Sequence, residues 1–146
     1  MEQRVNIEKS FPEAYRGMLH LAASQGKSNL TPIQKELIKI RASQINACAF
    51  CLNMHTTDAL KAGETPQRIF LLNAWRETDL FTEEEKAMLA ITEEVTLISK
   101  QGVSNETYQQ VTKFFSAETI AHIIMATVTI NAWNRIAVST NLPIAN

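Results

Sequence analysis

The sequence predicts an all-α protein, and three observations carry that prediction. Helix-start signals of the Thr-Pro and Ser/Thr type recur along the chain, at Thr31, Thr65, Thr82, Ser104 and Ser116. Between them apolar residues fall three and four apart, and the alternating runs that mark strands are nearly absent. Gly26, Gly63 and Gly102 each follow such a run, where a helix needs a residue that can stop it.

Taken in order, Phe11, Tyr15, Met18, Leu19 and Ala22 trace a first helix after Pro12, closed by Gly26. Thr31 caps a second, with Pro32 at its first position, where a missing N–H costs nothing; Ile33, Leu37, Ile40 and then Gln44 with Ile45 mark its inward face, and it runs to about Gln44. The third is expected from Ala47 to Ala62. Thr65 and Pro66 start a short helix through Ala74, followed by a polar bend at Arg76, Glu77 and Thr78. Thr82 and Glu85 form a capping box, and Met88, Leu89, Ile91, Val95 and Ile98 carry that helix to Lys100. The Glu83, Glu84, Glu85 run reads as a solvated first turn that complements the helix dipole. Ser104 caps a helix holding Tyr108, Val111, Phe114 and Phe115. Ser116 caps the last, from Ala117 to about Ser139, which is apolar on nearly all sides, as expected of a central helix or one in a subunit contact. No linker, repeat or low-complexity tract interrupts the chain, so residues 1–146 are expected to form one domain.

Composition narrows the function classes. A hydrophobic fraction of 45% with 20% charged residues argues against disorder. The formal net charge is -1 and no basic run exists, so the electrostatic footprint of a nucleic-acid binder is missing. The N-terminal stretch has no apolar signal-peptide core, and the longest apolar stretch, around IAHIIMATVTINAW, is too short to span a bilayer. These features point to a soluble cytoplasmic protein without nucleic-acid or membrane partners.

Against that background the stretch NACAFCLNMHTTD, residues 46–58, holds both cysteines of the chain, with a histidine close behind. In a compartment that keeps thiols reduced, a CxxC pair speaks for catalysis or metal binding more than for a structural disulfide. On a helix, Cys48 and Cys51 stand three apart and His55 four further on, so all three share one face. An i, i+3 pair has Cα atoms about 5 Å apart, within the range a disulfide tolerates, so the bond can open and close without unfolding the helix. The free N–H groups at the helix start favour a thiolate at Cys48, whereas His55, one turn beyond Cys51, can take up the Cys51 proton. An imidazole base needs an orienting partner. Glu36, on the inward side of the preceding helix, is the candidate carboxylate, with Asp58 expected on a different face from His55.

Glu36, eleven residues, Cys48, two residues, Cys51, three residues, His55 resembles the motif of the alkylhydroperoxidase D group within the carboxymuconolactone decarboxylase superfamily. The text from Arg41 through NACAFCLNMHTTDALKAGE and the later INAWNR, residues 130–135, resemble its shorter members. The resemblance implies an AhpD-like helical bundle with a central CxxC-bearing hairpin, assembled as a trimer or hexamer. It implies a peroxidase in which Cys51 attacks a hydroperoxide, Cys48 resolves the sulfenic acid into a disulfide, and Glu36 and His55 relay protons. A lipoyl or thioredoxin-like dithiol is the implied reductant, and no cofactor or metal is implied. One position departs from the pattern: members with a second histidine just before the second cysteine are matched here by Phe50, so Glu36 and His55 must couple directly or through water.

Three other readings compete. The thiols, an imidazole and a carboxylate are a plausible zinc set, although i, i+3 and i+7 ligands on one straight helix converge poorly on a tetrahedron. Lactone decarboxylation, the activity that names the superfamily, does not depend on a CxxC. A non-catalytic chain with core cysteines and a satisfied histidine leaves the placement of Glu36 without a reason. His20 and His122 read as core or surface residues, and Arg135 as a structural ion-pair or interface residue.

Overall fold

A computed structural model describes residues 2–144. Among them the regular structure is entirely helical. The α-helices are α1 (Ile7–Ser10), α2 (Pro12–Ser24), α3 (Pro32–Ile45), α4 (Ala49–Lys61), α5 (Pro66–Leu71), α6 (Glu83–Thr96), α7 (Ile98–Gln101), α8 (Asn105–Thr112) and α9 (Ala117–Thr140). Short 3-10 turns follow α2 at Gln25–Lys27 and α5 at Leu72–Glu77.

The expected caps are in place. Thr31 with Gln34, and Thr82 with Glu85, form reciprocal capping boxes. Thr65, Ser104 and Ser116 accept the N–H groups of Arg68, Thr107 and Thr119. Several boundaries differ from the sequence expectation, among them that of the helix expected to hold Phe114 and Phe115, which ends at Thr112. The third helix starts at Ala49 rather than Ala47, because Ala47 adopts a left-handed φ of 52° and Cys48 becomes the N-cap. The helix expected through Ala74 ends at Leu71, where the chain tightens into a 3-10 turn that buries Trp75. The helix expected to Lys100 breaks at Leu97, with no glycine or proline to announce it. A single turn, α1, precedes α2, capped by Asn6.

Helix α3 lies at the centre, packed against α4, α6 and α9, and α6 closes onto α9 and α8. Leu37, Ile38 and Ile40 of α3, Met88, Leu89 and Ile91 of α6, and Ile123 of α9 are fully buried. Burying each such side chain contributes about 1.5–3 kcal/mol of transfer free energy. Helix α9 only half fulfils its all-round apolar pattern: Ile120, Ile123, Ala126 and Ile130 are buried, while Met125, Val128 and Val138 remain exposed.

Partly buried ion pairs tie the helices together. Glu93 of α6 accepts from Arg41 Nε at 2.7 Å, Trp75 Nε1 at 2.8 Å and Arg76 Nη1 at 2.6 Å. Burial opposes the charge on Glu93, but these donors outweigh it and hold the carboxyl below its ordinary range. Arg68 pairs with Glu64 at 2.8 Å and Glu85 at 2.6 Å, contacts the Leu80 carbonyl and stacks on Phe81. Glu85 is therefore a partly buried anchor rather than one more solvated charge of the α6 first turn.

Candidate functional site

The site is built on the α3–α4 hairpin. Only Asn46, Ala47 and Cys48 separate the two helices, and the chain reverses there because Ala47 is left-handed. That conformation costs an alanine roughly 1–2 kcal/mol, so neighbouring contacts must hold it. The Cys48 N–H donates to the Ser43 carbonyl at 3.0 Å. Asn46 Nδ2 donates to Asn131 Oδ1 at 3.0 Å and Asn134 Oδ1 at 2.9 Å. Asn134 Nδ2 donates to Ser43 Oγ at 3.0 Å, and Asn131 Nδ2 to Thr96 Oγ1 and the Thr127 carbonyl. A buried amide network from α9 thus clamps the turn. Arg135 donates to the Asn131 carbonyl and side chain instead of entering an ion pair among the described residues.

Cys48 and Cys51 form a disulfide, with Cα atoms 5.4 Å apart. Both residues are almost fully buried. As the N-cap, Cys48 uses its sulfur to accept the Cys51 N–H at 3.4 Å, the position usually filled by an oxygen. One turn on, His55 is also buried, and its Nδ1 lies 2.9 Å from Glu36 Oε2. Glu36 Oε1 accepts from Lys39 Nζ at 2.7 Å. Burial works against ionisation of Glu36, yet the hydrogen bonds from His55 and Lys39 and the Lys39 charge prevail, holding its pKa below the ordinary value. An ionised carboxylate only accepts, so His55 Nδ1 carries the hydrogen, and in the neutral ring Nε2 bears the lone pair.

Cys51 and His55 share the wall of a cavity of about 370 Å³, mostly apolar, between α2, α4 and α9. Tyr15 and Trp133 line it as an edge-to-face pair with centroids 5.5 Å apart, and Lys39 is the one cation among its lining residues. Phe50 also lines it, at the position where the histidine-bearing pattern would place a second imidazole.

Of the four residues singled out by the sequence, the structure joins Cys48 to Cys51, pairs His55 with Glu36, and sets Cys51 and His55 on one cavity wall. It corrects the placement of Asp58, whose carboxylate lies within 4.8 Å of the ligand atoms of both Glu36 and His55. One helical turn from His55 on α4, Asp58 shares its side of the helix. The cysteine sulfurs are bonded to each other and lie outside that carboxylate–imidazole group. Lys39 has no signal in the sequence, and Asn46, Asn131 and Asn134 stand there only as members of the NACAFC and INAWNR stretches. His122 bonds Asn29 away from the site.

An all-helical fold with a CxxC disulfide at a helix start, beside a buried carboxylate–imidazole pair, defines an AhpD-like protein. Residues 10–94 match the family model for the Carboxymuconolactone decarboxylase family, and the chain belongs to that family. The uncharacterized protein YdfG of Bacillus subtilis is 42% identical over 139 residues, covering 95% of both chains. The crystal structure of ATU0492 from Agrobacterium tumefaciens superposes with a TM-score of 0.95 at 36% identity over 99% of both chains. That protein is of unknown function and is described as a candidate antioxidant defence protein AhpD. An uncharacterized peroxidase-related protein from Ralstonia eutropha JMP134, called an alkylhydroperoxidase AhpD core, shares the fold at 18% identity. Its TM-score is 0.83, over 95% of this chain and 74% of that one. Among the described residues no helix is long and apolar enough to cross a membrane.

Proposed function

We propose that the protein is a thiol-dependent peroxidase, formed by a single domain over residues 1–146, that reduces organic hydroperoxides in the cytoplasm. The observation that carries this reading is the 2.9 Å contact between Glu36 and His55 on the cavity wall that also holds Cys51. With both cysteines reduced, His55 Nε2 takes the Cys51 proton, and Glu36 stabilises the resulting imidazolium. The thiolate attacks the outer peroxide oxygen; the O–O bond breaks, Cys51 becomes a sulfenic acid, and His55 returns the proton to the departing alkoxide. Cys48 then attacks the Cys51 sulfur, hydroxide leaves as water with the Cys48 proton, and the disulfide closes. A dithiol reductant supplies the two electrons that reopen it.

The apolar cavity favours an alkyl or aryl hydroperoxide over hydrogen peroxide, because burial of hydrocarbon adds binding that the smaller oxidant lacks. The exposed Met125 and Val128 on α9 support association of several copies, as a trimer or hexamer.

Thiol titration of the reduced protein before and after one equivalent of cumene hydroperoxide tests the proposal. Loss of two thiols per wild-type chain, and no disulfide in a Cys51→Ser variant, is the expected result. Retention of both thiols by the wild type overturns it.

A further inference from the structure

The two cysteines of the disulfide line different cavities. Cys51 lines the one shared with His55, Met54 and Trp133, and Cys48 does not. Cys48 lines a second cavity, also of about 370 Å³, bounded by Ala47 and Ala49 at the hairpin turn, Val138 on α9, and Pro143 and Ile144 beyond it. Neither Cys51 nor His55 reaches this second space. Phe50, Ala137 and Leu142 line both cavities and form the partition between them.

We propose that the second cavity is the reductant's port: a slender, uncharged dithiol enters it and attacks Cys48, on the opposite side of the partition from the space where Cys51 meets its oxidant. The inference rests on the peroxidase reading for the origin of the disulfide.

Three features lead there. Cys48 is only 1% exposed, so a flat protein surface cannot reach its sulfur and a narrow arm is required. Apart from Cys48 itself, none of the residues lining this cavity carries a titratable side chain, so a reductant bearing a fixed carboxylate or phosphate would shed its hydration with no counter-charge to receive it. Third, the direction of attack decides which sulfur departs. A reductant thiol bonding to Cys48 Sγ gives up its proton to water as the S–S bond breaks, and Cys51 departs as thiolate, in the first turn of α4 and one turn from His55. The second thiol of the reductant then attacks its own sulfur in the mixed disulfide, closing the reductant's ring and releasing Cys48. Two electrons pass from the dithiol to the protein, and the sulfur expected to attack peroxide is regenerated in its nucleophilic form.

The test separates the half-reactions. The disulfide is formed with diamide, so that reduction can be measured whether or not a hydroperoxide oxidises the protein; failure of cumene hydroperoxide to oxidise the wild type counts against the peroxidase reading alone. Reduction by dithiothreitol is followed by thiol release, and oxidation by cumene hydroperoxide by thiol loss. Val138→Trp, which fills the second cavity from an exposed position, is expected to slow reduction at least tenfold and leave oxidation within twofold. Met54→Trp, on the first cavity alone, is expected to do the reverse. Equal effects of a variant on both half-reactions, or none on either, overturn the inference. A second measurement needs no variant: diamide-oxidised wild type is treated with 2-mercaptoethanol, acid-quenched and sequenced by fragmentation mass spectrometry. The mixed disulfide is expected on Cys48, and its recovery on Cys51 overturns the assignment.

Discussion

Glu36 and His55 stand 19 residues apart in sequence and 2.9 Å apart across the α3–α4 hairpin, in a setting where both side chains are largely shielded from water. Breaking a contact at that depth costs more than breaking a surface ion pair, because the remaining group would be left buried without its partner. In the proposed mechanism this pair sets the tautomer of the imidazole that deprotonates Cys51. Glu36→Gln keeps the shape and removes the charge. The expected outcome is a fall of about 10²-fold in the rate of Cys51 oxidation by cumene hydroperoxide, the usual scale of a disabled general base. Stopped-flow thiol oxidation checks it, and a rate within threefold of wild type counts against the relay.

Acid should loosen the fold through three carboxyls. Glu36, Glu93 and Glu94 all sit below the ordinary value of 4.5, each because donors outweigh burial. A depressed native pKa means the unfolded chain binds protons more readily, so the stabilisation is complete above 4.5 and is lost as pH falls through the native values. Urea midpoints should hold level from neutral pH down to that value and drop below it. Lys39→Met removes two of the contributions that depress Glu36 and should move the acid limb of Glu36 upward, read from its carboxyl resonance by NMR.

The clamp on the hairpin turn predicts two changes of opposite sign. Asn134→Ala strips a buried side chain of its bonds to Asn46 and Ser43, and leaving their polar groups unpaired costs about 1–3 kcal/mol each. Ala47→Gly relieves the left-handed strain, roughly 1–2 kcal/mol, against an added unfolded-state entropy of about 0.4–1 kcal/mol. The glycine variant should therefore gain somewhat under about 1 kcal/mol. Equilibrium urea denaturation measures both.

Asp58 offers a sharper test of which carboxylate serves His55. It lies close to the pair but is half-exposed and bonds Lys61 Nζ at 3.1 Å, while Glu36 is buried and bonds the ring directly. Exposed ion pairs contribute little. Asp58→Asn is expected to leave peroxide oxidation within about threefold of wild type, since no exposed pair of that kind is worth much more; a loss matching that of Glu36→Gln would assign the orienting role to both.

Much of this was legible in the chain because it is written in local signals. Thr31, Thr82, Ser104 and Ser116 cap the helices that their spacing announces, and the face shared by Cys48, Cys51 and His55 follows from helical periodicity. What stayed hidden depends on tertiary contact. Ala47 gives no sign that it will turn left-handed, since the amide clamp that holds it comes from α9, some 85 residues later in the chain. Trp75 ends α5 early because its indole reaches Glu93. Asp58 lies beside His55 rather than on the different face expected from the sequence, because three residues along a helix return nearly to the same side. The two cavities have no sequence signature at all: each gathers side chains from segments far apart in the chain.

The chain holds only two tryptophans, and they sit in different worlds. Trp133 looks onto the chamber that contains Cys51, whereas Trp75 is buried under the Arg76 guanidinium and bonded to Glu93, away from the sulfurs. Because disulfides quench indole emission at short range, opening the Cys48–Cys51 bond is expected to raise the emission of Trp133, which packs against the buried cluster holding that pair, with Trp75 as the reference. The redox state of the sulfurs can then be followed by light from the unlabelled molecule.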